Sequence, residues 1–452
     1  MHKVLICLFL FSNTLFANSS WSPGLRQHAK SFQNAFEDGF ASSLRGACFD
    51  LSRAYSKMVV PIEDWEGNTT ANESGKLPMK VGLQRGKDGK PRRAPLAFYI
   101  PGAFNNLSSR QPKRWMDELT QRGYHTVVFP NPWGTQFIKE KSNEAVGHVL
   151  NEGKAIYDSM RDVFSRLDEN DLILGPVRLL GVSYGGFLTA MISAWDAENP
   201  EPILSMDSTI MSPPFQLGET LDRLDQYLDA TADPFNGMNI ASKLLKFRNF
   251  CKKESQSDLE EGQLHEAMGL VSYVGFHDMM VKSVKVFDKV KGYDKIPDRN
   301  LGSLSPKFRK WKKEFNFNGY IDTYDSSIRD LLKSENGTLK YWVQRASDAG
   351  YNRVRVLVAV DDFLNDGSSW DGPKEKLITL PDGGHYGYRH LDWYESFINL
   401  AFGDEREIRH LMLYGPNALD MVPRQILIPQ RLEPIKEARP NILDYKFGLE
   451  LF

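Results

Sequence analysis

The sequence predicts an α/β fold: a mostly parallel central sheet with helices on both faces and a helical cap inserted late in the sheet. Three observations carry that expectation. Short apolar runs rich in branched residues alternate with helical patterns from Met79 to Met211. A strand, a tight turn and a helix follow one another without a break at Val177-Arg-Leu-Leu-Gly-Val-Ser-Tyr-Gly-Gly186 and Phe187–Trp195. The next convincing strand after Ile203–Met211 is Val354–Val360. That connection is far longer than the dozen or so residues a parallel crossover needs, so something folded is inserted in it.

In chain order, Met1-His-Lys3, the apolar run Val4–Phe11 and the small residue Ala17 have the three parts of a secretory signal peptide. The apolar run is too short to span a bilayer comfortably. Removal of residues 1–17 would leave an exported protein, periplasmic or secreted, and soluble. The full chain of 452 residues has a formal charge of −2; losing Lys3 and no acid moves it to −3. A balance so near zero gives no reason to expect a nucleic-acid partner. The length suits one large domain with an insertion, or two domains, with ample core. Cys7 leaves with the signal, and Cys48 and Cys251 remain either to pair or to stay as buried thiols. The sequence holds no Cys-x-x-Cys, no His-Glu-x-x-His and no glycine-rich phosphate loop. Neither a metal nor an organic cofactor is therefore expected.

Residues 18–75 read as a helical N-terminal extension, amphipathic from Ser31 to Tyr55 and ending in the polar loop Glu66–Gly75. The first part of the core, 76–215, holds candidate strands at Met79–Leu83, Leu96–Ile100, Tyr124–Phe129, Val177–Val182 and Ile203–Met211, with helices near Pro112–Arg122 and Asn143–Leu167 between them. Trp133 and Phe137 are candidates for a pocket wall. His125, inside a strand, and His148, on a helix, are read as structural. Helical patterns at Leu217–Leu228, Ile240–Phe250, Leu259–Leu270 and Met279–Val290 assign 216–350 to the cap. The core resumes over 351–402 with strands Val354–Val360 and Leu377–Leu380, and 403–452 is a tail without evident chemistry.

At the turn, Gly181 and Gly185 flank Ser183 because a side chain at either position would crowd a bend this tight, and the serine hydroxyl is left at its apex. With this strand-turn-helix context, the sequence resembles the α/β-hydrolase superfamily, over roughly Leu96–Ser212 and Val354–Ala401. The order of Ser183, an acid after Val354–Val360 and His385 after Leu377–Leu380 is that of these hydrolases. The loop Gly383-Gly-His-Tyr-Gly-Tyr388 looks like the Gly-Gly-His-x-Gly-aromatic signature of a serine esterase-like branch.

The resemblance implies roles. Ser183 would attack, His385 would take its proton, and a carboxylate would fix the imidazole's tautomer. Asp362 is preferred for that carboxylate, as the second residue of the family's strand-end Asp-Asp pair; Asp361 and Asp366 are the alternatives, and Asp382 reads as a turn residue. Pro101-Gly-Ala-Phe-Asn-Asn106 stands where the family places its second oxyanion amide, although Pro101 departs from the common His-Gly. Ala103 or Phe104 would donate there together with Tyr184.

The expected activity is cleavage of small-molecule or lipid-like carboxylic esters through an acyl-enzyme. Gly-x-Ser-Tyr-Gly-Gly also resembles the elbow of prolyl-oligopeptidase-like peptidases, and acyltransferases need the same triad. A binding protein on a silent hydrolase fold is the remaining rival. Val281–Glu314 holds eleven Lys or Arg against four Asp or Glu. Such a run is either a solvated helical face or a basic rim suited to anionic substrates or to peripheral contact with an anionic membrane. The sequence leaves the oligomeric state open.

Overall fold

A computed structural model describes residues 22–33, 38–52, 60–71, 74–140, 146–230, 279, 316–365 and 370–403. The expected signal peptide, most of the expected cap with its basic run, Asp366, Cys251 and the tail after Gly403 lie outside the described residues.

Eight strands form one sheet: β1 Ile62–Asn68, β2 Lys76–Gly82, β3 Ala94–Ile100, β4 His125–Val128, β5 Ile173–Val182, β6 Ser208–Met211, β7 Val354–Ala359 and β8 Leu377–Leu380. Their order across the sheet is β1-β2-β4-β3-β5-β6-β7-β8. The first two pairings, β1 with β2 and β2 with β4, are antiparallel, and every later one is parallel. With helices in the crossovers, this is the α/β-hydrolase fold. The parallel strands therefore all end at one edge, where an open α/β sheet places its site.

Alternation along the strands builds two cores. In β3, Leu96, Phe98 and Ile100 face one side, while Ala97 and Tyr99 face the other; in β7, Val356 and Leu357 divide the same way. Period-2 exposure of apolar side chains on both faces demands cover on both. On the first face lie α5 (Val149–Glu169), α6 (Tyr184–Glu198) and α10 (Leu339–Asp348). The second face carries α1 (Pro23–Lys30), α3 (Arg110–Gln121) and α11 (Asp392–Phe402). Helix α6 is buried almost all round because it lies between the sheet and α10, with Trp195 packed edge-on against Trp342 at 5.7 Å between ring centroids. The remaining described helices are α2 (Gly39–Ser52), α4 (Thr135–Glu140), α7 (Leu217–Ala230), α8 (Phe317–Tyr324) and α9 (Ser327–Lys333).

The expected strands and helices that fall on described residues reappear with shifted ends, while those at Ile240–Phe250 and Leu259–Leu270, and all but the first residue of Met279–Val290, lie outside them. The strand expected over Ile203–Met211 begins only at Ser208, because the Asp196 carboxylate takes the N–H groups of Ile203 and Leu204 at 3.1 and 2.8 Å. Ile62–Asn68 is a strand overlapping the expected polar loop at its C-terminal end. Helix α10, inside 216–350, packs on α6 and not over the strand ends. Phe137, a candidate for the pocket wall, is instead 1 % exposed within the core. His148 occupies the N-cap position of α5, without a side-chain capping hydrogen bond. No helix among the described residues is long and apolar enough to cross a membrane.

His125 is a buried structural residue. Its Nδ1 accepts the Gln84 N–H at 3.0 Å, and its Nε2 lies 3.1 Å from the Leu172 carbonyl, which makes Nε2 the protonated nitrogen. Burial holds its pKa down, from 6.5 to about 4. Between those pH values the unfolded chain binds a proton that the folded one refuses, so stability falls as the pH drops through that window. The stability lost between pH 7 and 4 through this group should be on the order of 3 kcal/mol. Urea unfolding of His125→Gln over the same range should show a visibly flatter pH dependence; an unchanged slope would remove His125 as its source.

Candidate active site

The turn between β5 and α6 sets Ser183 at φ 55, ψ −126, outside the regions an L-residue ordinarily occupies. Strain of this kind costs about 1–3 kcal/mol and persists only where neighbours dictate it. Here the Ser183 N–H is fixed by the carbonyl of Met211 at 2.8 Å, at the end of β6. The flanking glycines are a steric requirement. A Cβ at Gly181 would lie 2.2 Å from both the Gly185 carbonyl oxygen and Thr189 Oγ1. One at Gly185 would lie 2.2 Å from the carbonyl oxygen of Ile100 and 2.4 Å from that of Pro101, the end of β3.

His385 reaches this serine from the loop after β8. Its Nε2 is 2.9 Å from Ser183 Oγ, and its Nδ1 is 3.0 Å from each carboxylate oxygen of Asp362. A carboxylate only accepts, so Nδ1 carries the ring proton and the Nε2 lone pair faces the hydroxyl. Asp362 follows β7, is fully buried, and also accepts the Leu364 N–H at 3.0 Å. The ring of Phe363 packs edge-on against the imidazole, 5.3 Å between centroids.

The other acids serve elsewhere. Asp361 points to the backbone of the histidine loop, where it accepts the N–H groups of Gly383 at 3.2 Å and Gly384 at 2.8 Å. Burial raises its pKa, and these two hydrogen bonds offset that only in part. Asp382 sits half-buried beside the loop, and Asp366 is outside the described residues.

The loop after β3 lies against Ser183: a Cβ on Gly102 would be 3.2 Å from Ser183 Cβ. Its shape is set by side chains. Gln111 Oε1 accepts the Gly102 N–H at 3.2 Å, Asn105 Nδ2 donates to the Gly102 carbonyl at 3.1 Å, and Asn131 Nδ2 donates to the Pro101 carbonyl at 2.7 Å. Phe104 is held at φ 65. The N–H groups of Ala103 and Phe104 have no hydrogen-bond partner among the described residues. That of Tyr184 opens α6, where the helix supplies no acceptor and its dipole favours negative charge. Backbone N–H groups thus flank Ser183 on two sides.

Two features of this region carry no signal in the sequence. Ser212, buried at φ 45, accepts the Tyr386 N–H at 2.9 Å and so fixes the residue after the histidine. Glu152, fully buried on α5, accepts the Tyr184 hydroxyl and also the Gly147 N–H, the latter at 2.6 Å. A buried glutamate within a helical pattern looks like any other helix position until its partner is known. Burial and the neighbouring Glu152 carboxylate push the Tyr184 phenol well above its ordinary pKa. Trp133 packs on Tyr184 at 5.5 Å, on Phe317 at 5.7 Å and on Phe104 at 5.8 Å, forming an aromatic cluster around the residue that follows Ser183. Among the described residues, no cluster of three His, Cys, Asp or Glu could hold a metal ion.

No protein-family model and no curated protein matches the chain. Solved structures that resemble it include a hyperthermophilic esterase from the archaeon Pyrobaculum calidifontis, at 13 % identity and TM-score 0.37, covering 85 % of this chain and 98 % of that one. A 2,6-dihydroxy-pseudo-oxynicotine hydrolase matches at 14 % identity and TM-score 0.39, covering 77 % and 70 %. EstE1, a thermophilic carboxylesterase from a metagenomic library, matches at 13 % identity and TM-score 0.37, covering 81 % and 94 %. Likeness at this level carries no functional weight, and the chemistry has to be read from the site's own geometry.

Because the clash at position 185 is with backbone, no side-chain rotation relieves it. Gly185→Ala should cost about 3 kcal/mol or more of stability, or move Ser183 out of reach of His385. Thermal unfolding together with phosphonate labelling of Ser183 reads both effects; a variant with wild-type melting and labelling would contradict the tight-turn account.

Proposed function

We propose that the protein is a serine hydrolase that cleaves carboxylic esters through an acyl-enzyme. The single observation that supports this best is the position of His385, in hydrogen-bond reach of Ser183 on one ring nitrogen and of buried Asp362 on the other. In this reading Ser183 Oγ attacks the ester carbonyl while Nε2 of His385 takes its proton. The resulting imidazolium is stabilised by Asp362. The tetrahedral oxyanion turns to the amides of Tyr184 and of Ala103 or Phe104, preorganised donors of a kind worth about 3–4 kcal/mol each in the transition state. Collapse expels the alcohol, which receives the proton from His385. Water then attacks the acyl-enzyme by the same relay, returning Ser183 and releasing the acid.

Esters are preferred over amides because an alcohol leaves without the strong protonation an amine needs. Phe104, half-buried on the loop that lies against Ser183 and backed by Trp133, favours an apolar group on the substrate. A small or lipid-like ester fits this description.

Incubation of the mature chain with a fluorophosphonate should label it, and Ser183→Ala should lose all labelling while melting within a few degrees of wild type. Turnover should be measurable on p-nitrophenyl esters and absent on proline-containing amides. Equal labelling of the variant would remove Ser183 as nucleophile, and faster turnover of the amides would replace the esterase reading with a peptidase.

A further inference from the structure

The loop that carries His385 is held by more than the sheet. Helix α2 of the N-terminal extension lies against it with Gly39, Ser43 and Gly46, spaced so that all three share one helix face. The contact is backbone on backbone. A Cβ at Gly39 would lie 2.3 Å from the Asp361 carbonyl oxygen, and one at Gly46 would lie 2.9 Å from Gly387 Cα. From the loop side, a Cβ at Gly384 would fall 1.9 Å from the Gly39 carbonyl oxygen and 2.4 Å from Ser43 Oγ.

At the centre of this face, Ser43 Oγ accepts the backbone N–H of His385 at 2.7 Å. The hydroxyl's own proton is given to the Gly39 carbonyl, 2.6 Å away and one turn back, so a lone pair is what remains for the loop. Helix α2 also reaches the imidazole by a second route: Phe40 stacks on Phe363 at 5.3 Å, and Phe363 packs on the His385 ring. With Asp361 on Gly383 and Gly384 and Ser212 on Tyr386, four successive amides of the loop each end on a side-chain oxygen. Among the described residues, only Ser43 binds the amide of the histidine itself.

We infer that Ser43 is a positioning residue for His385, and that the N-terminal extension is thereby a working part of the catalytic apparatus. This rests on the reading of Ser183 as nucleophile and His385 as its base. Without the Ser43 oxygen, the His385 N–H loses its buried acceptor and the loop turns to find another. The imidazole turns with it, and the Nε2-to-Oγ contact opens. A displacement of about 1 Å at a reacting centre can cost a hundredfold in rate.

The test compares full chains carrying Ser43→Ala, Ser43→Cys, which replaces the oxygen by a larger and weaker sulfur acceptor, and Ser43→Thr, which keeps the hydroxyl. Ser43→Ala should lower kcat on a p-nitrophenyl ester, and the rate constant for fluorophosphonate labelling, by about tenfold to a hundredfold, with KM unchanged. Ser43→Cys should fall between it and wild type, and Ser43→Thr should recover most of the loss. The low-field proton resonance of the His385–Asp362 hydrogen bond should shift or broaden in Ser43→Ala and return in Ser43→Thr. Should Ser43→Ala not fold, the Cys and Thr pair carries the same comparison. Wild-type labelling and an unchanged resonance in the defective variants would overturn the inference, as would a rise in KM at constant kcat. A wild-type protein that does not label at all would sink the nucleophile reading instead, and the resonance would still decide the role of Ser43.

Discussion

The contact of 2.9 Å between His385 and Ser183 joins residues 202 positions apart in the chain, and the rest of the site is arranged to make it. Neither end can move freely. The serine sits on a backbone turn so tight that β3, β5 and α6 touch without intervening side chains at Gly181 and Gly185. The histidine sits on a loop whose Gly383, Gly384 and Tyr386 all have positive φ. Strain at both ends is sustained because the strands between them are in register: β5, β6, β7 and β8 are successive neighbours, so the residues following β5, β7 and β8 meet at one edge.

Polar satisfaction does the fine positioning. An N–H left buried without an acceptor costs about 1–3 kcal/mol, so each acceptor around the histidine loop selects one backbone course over many. Those acceptors come from places far apart in sequence: Asp361 after β7, Ser212 after β6 and Ser43 on α2. The Ser183 side is fixed by the same means, with Gln111, Asn105 and Asn131 shaping the loop that carries Ala103 and Phe104. The side chain of Tyr184 is tied down by Glu152, which helps hold the first turn of α6 in place. Side chains supplied by loops gain the rigidity of the scaffold in this way.

How much of this was legible in the sequence varied with the kind of signal. The turn at Ser183 was readable because its glycines answer a steric demand that no other residue meets, and the strands around it because they are apolar on both faces. Asp362 was separable from Asp361 by family pattern alone; the structure adds the reason, since Asp362 meets the His385 ring while Asp361 spends its oxygens on the amides of Gly383 and Gly384. Strand β1 was missed because an edge strand needs cover on few positions: Glu63, Asp64 and Glu66 lie half-buried or exposed, and the charge that protects an edge also hides it. The apolar stripe Leu339, Trp342, Val343 and Ala346 announces a helix but not its neighbour, which is why α10 was read with the cap. Ser43 gave no signal at all, for a serine inside a helix becomes informative only when the loop it faces is known.

The account stands on His385 acting as the base for Ser183, and the most direct measurement of that is chemical rescue. In His385→Ala, Ser183 keeps its place but loses the acceptor for its proton, so fluorophosphonate labelling should fall by a factor on the order of a thousand or more. Added imidazole, small enough to enter the vacated space, should restore part of the rate in proportion to its concentration. Labelling of His385→Ala at the wild-type rate, with no response to imidazole, would contradict the account.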